Sequence, residues 1–138
     1  MVTYSQDLLG DTKLQKFVTD FYAASDVAPP GSGRDPYLKF FVEPATVVMA
    51  TNVNKGVEGI TAMRQAMWKT VTHRLHVPLN VASINATEKL VNGTVEYTLV
   101  GGKNVKVEWA AYIKLAESDE LKMEFYQVYL DPTAASKQ

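Results

Sequence analysis

The chain has 138 residues, 46% of them hydrophobic and 21% charged, with a formal net charge of -1 and no cysteine. That length supports one domain, residues 1–138, with an ordered core over roughly residues 8–132, and the composition excludes a disordered or low-complexity chain. Disulfides, thiolate ligands and a thiol nucleophile are excluded with the cysteines. The near-neutral charge gives no electrostatic reason to bind nucleic acid or an anionic membrane.

No apolar run approaches the roughly 20 residues that span a bilayer. The first eleven residues, MVTYSQDLLGD, hold no basic stretch leading into an apolar one, so the expected location is the cytoplasm.

From Asp11 to Ala24, Leu14, Phe17, Val18, Phe21 and Tyr22 recur at three- and four-residue steps. That period predicts an amphipathic helix with Asp11 as its N-cap. The Ala28-Pro29-Pro30-Gly31-Ser32-Gly33 cluster must end it. A shorter helical piece is expected from Pro36 to Val42, closed by Pro44. Ala45 to Thr51 reads as a strand and Asn52 to Gly56 as a turn. From Val57 to His73 the helical period returns, with Ile60, Met63, Met67 and Val71 on one face.

The second half reads as strands. Arg74 to Ile84 has two faces, Leu75, Val77, Leu79 and Val81 opposite Arg74, His76, Pro78 and Asn80. Leu90 to Val100 follows, then Gly101-Gly102 as a hairpin turn. Val105 to Leu115 alternates, and Leu121 to Leu130 closes the series; the small polar tail is expected to fray. Helices followed by consecutive antiparallel strands predict an α+β domain, a cone-shaped curved sheet wrapped around the N-terminal helices. A concave site is expected between the mouth of the cone and the helix ends.

Four segments spanning nearly the whole chain carry a resemblance: Phe21-Tyr22-Ala23-Ala24-Ser25-Asp26, Gly56-Val57-Glu58-Gly59-Ile60, His73-Arg74-Leu75-His76-Val77-Pro78, and Phe125-Tyr126-Gln127-Val128-Tyr129-Leu130-Asp131-Pro132. With the element order, they make the chain resemble the SnoaL-like branch of the nuclear-transport-factor-like superfamily. Within it, the chain looks like small stand-alone proteins of fungal natural-product pathways, the scytalone dehydratases and cofactor-independent isomerases. The resemblance implies chemistry without metal or organic cofactor in an aromatic cavity. It also implies a cavity role for His76, and a substrate-contacting basic residue in the loop that holds Arg34. The second histidine of the dehydratases, on the following strand, has no counterpart between Leu90 and Val100.

His73 and His76 are the only histidines, and with no cysteine or carboxylate at suitable spacing they do not make a metal site. His76 reads as a proton carrier or as a hydrogen-bonded strand residue. Asp26, one turn after Tyr22, sits where a helix dipole disfavours a carboxylate by roughly 0.3–1 kcal/mol; function or a simple turn would each explain it. Arg34 could stabilise a developing oxyanion, or be a solvated neighbour of Asp35.

Trp109 shares the inward face of its strand, as core or as cavity wall. On the last strand Met123, Phe125, Gln127 and Tyr129 share one face; if it points in, Gln127 is a buried amide in need of a partner, whereas one β-bulge would put Glu124 and Tyr126 inside. Tyr97 is a possible cavity donor, and Met49, Met63 and Met67 an adaptable lining or plain core. The outer face, with Ala110, Tyr112 and Val128, suits a homodimer.

The expected function is therefore a cofactor-independent isomerase or cyclase of secondary metabolism, acting on a small hydrophobic, polycyclic substrate. Its catalytic set is His76, Asp26, Arg34 and Gln127, with Tyr22, Tyr97, Trp109, Met49 and Met67 binding substrate. The alternatives are a non-catalytic ligand-binding or dimerisation module and a dehydratase.

Overall fold

The computed structural model describes residues 1–137. A two-residue strand, β1 (Thr3–Tyr4), precedes helix α1 (Thr12–Ser25). The Asp11 carboxylate caps α1 by accepting from the Leu14 N–H at 3.0 Å. Leu14, Phe17, Val18, Phe21 and Tyr22 form its buried stripe, as the periodicity predicts. Asp35 then caps a 3-10 turn, Pro36–Phe40, through the Tyr37 N–H at 3.1 Å.

This turn is shorter than the helical piece expected to reach Val42. The chain leaves it at Phe41 into β2 (Phe41–Met49) and runs extended through Pro44. A register shift against the neighbouring strand between Phe41 and Thr46 accommodates the missing N–H of Pro44.

Two further boundaries differ from expectation. Asn52–Lys55, read as a turn, is strand β3, paired antiparallel with β2 from Met49↔Asn52 to Thr46↔Lys55. The reversal needs only Ala50 and Thr51, with Ala50 at φ 55°. Helix α2 spans Gly56–Met67 and stops six residues before the expected His73, because Val71 already belongs to β4 (Val71–Ser83) and pairs with Leu99. The four-residue step from Met67 to Val71 extends the helical pattern by coincidence.

Strands β5 (Glu88–Leu99), β6 (Asn104–Leu115) and β7 (Met123–Tyr129) complete one seven-stranded sheet of order β1-β4-β5-β6-β7-β2-β3. The β1·β4 and β2·β7 pairs are parallel and the others antiparallel. The fold is thus the expected α+β arrangement, an open curved sheet with both helices on its concave face. Phe21, fully buried, is the hub of that face, with Phe17, Tyr22, Tyr37, Phe40, Phe41 and Tyr126 within 6.4 Å between ring centroids. No described helix is long and apolar enough to cross a membrane.

The faces of β4 and β7 decide what the concavity contains. On β4 the apolar set points out: Leu75, Val77 and Leu79 are 37–44% exposed, while Arg74 is 5% exposed and faces the helices. A register shift between Pro78 and Asn80 then brings Val81 inside. On β7 the shift between Lys114 and Leu115 uncouples Met123 from the strand's later parity. Met123, Tyr126 and Val128 are buried, and Gln127 lies on the outer side opposite Tyr112. Gln127 is therefore not a cavity residue, and Val128 belongs to the interior rather than the outer face. The bulge put Tyr126 inside but left Glu124 exposed.

Candidate active site

Asp26 is the C-cap residue of α1, and its carboxylate turns to the edge of β4. Both its oxygens lie 3.0 Å from the His76 backbone nitrogen, and Oδ1 is 2.6 Å from His76 Nδ1. A carboxylate only accepts, so Nδ1 is the protonated ring nitrogen in this contact, and Nε2 is left for a ligand. These bonds offset the unfavourable placing of a carboxylate at a helix C-terminus. The imidazole lies beside the Tyr22 and Trp109 rings, at centroid distances of 5.5 and 5.7 Å. Tyr22 in turn shares a 3.0 Å hydroxyl–hydroxyl bond with Tyr126.

The position of Asp26 depends on Arg64, which is buried on α2. Its Nε donates to Asp35 at 3.0 Å, and its terminal nitrogens donate to the carbonyls of Ser25 at 3.1 Å and Val27 at 2.6 Å. The guanidinium also lies over the Tyr37 ring, 4.6 Å from its centroid. Carbonyls at a helix end have no partner within the helix, so this cation completes them and fixes the residues flanking Asp26.

Arg74 follows a different pattern. Its guanidinium is sandwiched between Trp68 and Tyr97, 5.1 and 5.0 Å from the ring centroids. It donates to the Met67 carbonyl at 3.2 Å, and its Nε is buried with no partner among the described residues. Burial favours its neutral form and lowers its pKa, opposed by nearby Tyr97. Burial likewise raises the phenols of Tyr97, Tyr22, Tyr37 and Tyr126, the last three strongly.

These groups surround one cavity of about 30 Å³, lined by His76, Arg74, Tyr97, Trp109, Tyr126 and Arg64 on its polar and aromatic side. Met49, Met63, Met67, Val95, Val128 and Leu130 form the apolar side. Of the residues picked out from the sequence, the structure brings His76, Tyr97, Trp109, Met49 and Met67 to the cavity, with Asp26 and Tyr22 in contact with His76.

Arg34 is elsewhere. It is exposed and pairs with Glu43, because the loop turns Asp35 inward to Arg64 and sends Arg34 to solvent. Arg74 and Arg64 escaped the sequence reading. Arg74 carried a usable signal, since it shares the face of β4 with His76, so placing one inside places the other there too. Arg64 carried none: one arginine on a helix of mixed composition gives no sign of burial. Among the described residues no cluster of three or more His, Asp or Glu could hold a metal.

No family model matches the chain, and no curated protein matches it. Solved structures do match. A candidate SnoaL-like polyketide cyclase from Jannaschia sp. CCS1 superimposes with a TM-score of 0.72 at 14% identity, covering 91% of this chain and 90% of the other. A protein of ketosteroid isomerase-like fold from Catenulispora acidiphila, solved with trimethylamine, gives 0.75 at 14% identity over 89% and 91%. TerC co-crystallised with polyporic acid gives 0.71 at 14% identity over 91% and 97%. At these identities the likeness concerns the fold alone, and the chain has the cone fold of SnoaL-like and ketosteroid isomerase-like proteins.

Proposed function

We propose that the chain is a cofactor-independent isomerase or cyclase of secondary metabolism, a cytoplasmic enzyme acting by acid–base catalysis on an apolar substrate. The observation that carries this reading is the Asp26–His76 pair, whose second ring nitrogen is left for a ligand in an aromatic cavity. His76 Nε2 takes a proton from a carbon beside a carbonyl, and the C–H electron pair moves into the carbonyl as an enolate. The same nitrogen returns the proton at another position. No atom is lost and nothing is oxidised. Asp26 holds the ring and balances the imidazolium, while Tyr97 and Trp109 orient the substrate. Proton transfer by such a positioned group contributes roughly 10²–10⁴ in rate.

The neighbours described as a polyketide cyclase candidate and as ketosteroid isomerase-like support this reading, and TerC with polyporic acid supports small-molecule binding in the fold. A polycyclic substrate is far larger than the present cavity, which has room for only a few waters. Its entry requires Met49, Met67 and Leu130 to swing aside; all three are half-buried, and unbranched methionine adapts readily.

That small volume also favours a second reading, a non-catalytic module whose cavity is filled by its own side chains. We place a homodimer contact on the outer sheet face, where Leu75, Val77, Leu79, Leu90 and Tyr129 are exposed.

Mass spectrometry of metabolites from the source organism, with and without the gene, separates these readings. Loss of a product and gain of an isomer of equal mass is the expected result. A difference of one water would establish a dehydratase. An unchanged profile in cells that express the protein would leave the binding module.

A further inference from the structure

Arg74 is the feature that acid–base chemistry at His76 leaves unexplained. A guanidinium has five N–H donors, and here one hydrogen bond to a protein acceptor is formed, to the Met67 carbonyl. Arg64, equally buried, shows what a structural arginine looks like in this molecule: a carboxylate on one side and several carbonyls on the other. Among the described residues no carboxylate forms an ion pair with Arg74. Asp26, the acid whose charge acts on it, is already engaged by the backbone and ring of His76.

Two aromatic rings compensate the charge only in part, and burying a cation without an anion is costly. Trp109, also a residue of the cavity wall, holds a second buried donor, Nε1, with no partner among the described residues. Two residues of the cavity wall thus hold buried donors without a partner among the described residues, one of them cationic, and the neighbouring Asp26 carboxylate is turned to His76.

We infer that Arg74 is an anion subsite, so that the ligand of this cavity carries an ionised oxygen, an enolate, phenolate or carboxylate, held against the guanidinium. This rests on the small-molecule reading of the cavity proposed above and narrows the substrate to an acidic-oxygen compound. It also accounts for the sandwich: Trp68 and Tyr97 hold the fork in one orientation, so little freedom is lost when the oxygen arrives. The same cation would accept the enolate oxygen that forms when His76 removes a proton, which makes Arg74 the oxyanion stabiliser in place of exposed Arg34.

The test uses benzoate and its neutral isostere benzamide as probes, titrated at neutral pH and followed by calorimetry and tryptophan fluorescence. Trp68 and Trp109 are the only tryptophans, one against Arg74 and one in the cavity wall, so both report on this site. Wild-type protein is expected to prefer benzoate by roughly 10- to 100-fold, the worth of one charge-assisted hydrogen bond. Arg74→Met should abolish the preference, and Arg74→Lys should retain part of it.

Equal binding of both probes, binding of neither, or a benzoate preference that survives Arg74→Met overturns the subsite. If Arg74→Met does not fold, the wild-type ratio and its reduction in Arg74→Lys decide. No turnover is read, so a failure of the isomerase reading leaves this titration unchanged. Conversely, absence of a benzoate preference in the wild-type protein, with His76-dependent turnover intact, removes the subsite alone.

Discussion

Asp26→Asn tests the Asp26–His76 pair without any knowledge of the substrate. The carboxylate accepts both the His76 backbone N–H at 3.0 Å and the Nδ1 proton at 2.6 Å, with its side chain 17% exposed. An amide has one acceptor oxygen. If that oxygen stays with the backbone N–H, the NH₂ group faces Nδ1 and forces the ring proton onto Nε2.

One charge-assisted bond is lost, worth about 1.5–3 kcal/mol, and relief of the helix-dipole conflict returns about 0.3–1 kcal/mol. The net destabilisation is about 0.5–2.7 kcal/mol, a fall in Tm of roughly 2–9 °C for a chain of this size. With the wrong nitrogen protonated, turnover should fall by roughly 10⁴, the scale seen when a histidine loses its orienting carboxylate.

Heteronuclear NMR of ring-labelled histidine reads the tautomer directly, with exposed His73 as the unchanged reference. A shift of the His76 proton from Nδ1 to Nε2 is expected. An unchanged tautomer with an unchanged Tm would refute the claim that Asp26 sets the state of His76.

Three further outcomes follow from the packing. Gly93→Ala would place a Cβ 2.3 Å from the Val77 carbonyl oxygen and 2.9 Å from Pro78 Cα, both backbone; a loss of at least about 1–3 kcal/mol is expected, measured by denaturant unfolding. Tyr22, Tyr37 and Tyr126 are buried phenols whose folded pKa lies above the unfolded value of about 10. Their contribution is complete below that pH and lost above it, together by about 4 kcal/mol per pH unit, and Tyr126→Phe should reduce that slope by about one third in alkaline unfolding. Val77→Lys on the exposed outer face should convert the proposed dimer to a monomer in light scattering while leaving Tm nearly unchanged.

Much of the architecture was legible because burial and periodicity coincide. The stripe from Leu14 to Tyr22 and the alternation from Val105 to Leu115 each bury one continuous face. Legibility ended where strand parity breaks. On β4 Leu75, Val77 and Leu79 point to solvent while Arg74 points to the interior, and Val81 of the same apolar set lies inside, so the pattern alone names two faces without saying which is inside. On β7 the bulge near Glu124 moves Gln127 out and Tyr126 in.

Asp26 and His76 were each visible as candidates, but their contact was not, because 50 residues separate them and only the packing of α1 on β4 joins them. Arg34 failed for the opposite reason. Its loop gave a plausible location, yet the buried demand of Arg64 drew Asp35 inward and left Arg34 to pair with Glu43.

The most direct measurement concerns His76. A strain lacking the gene is complemented with wild type or with His76→Phe, after the variant is shown to keep its Tm, and the metabolites are compared by mass spectrometry. Wild type should restore the product, while His76→Phe should accumulate the same equal-mass precursor as the deletion. Full restoration of the product by His76→Phe would contradict proton transfer by this residue.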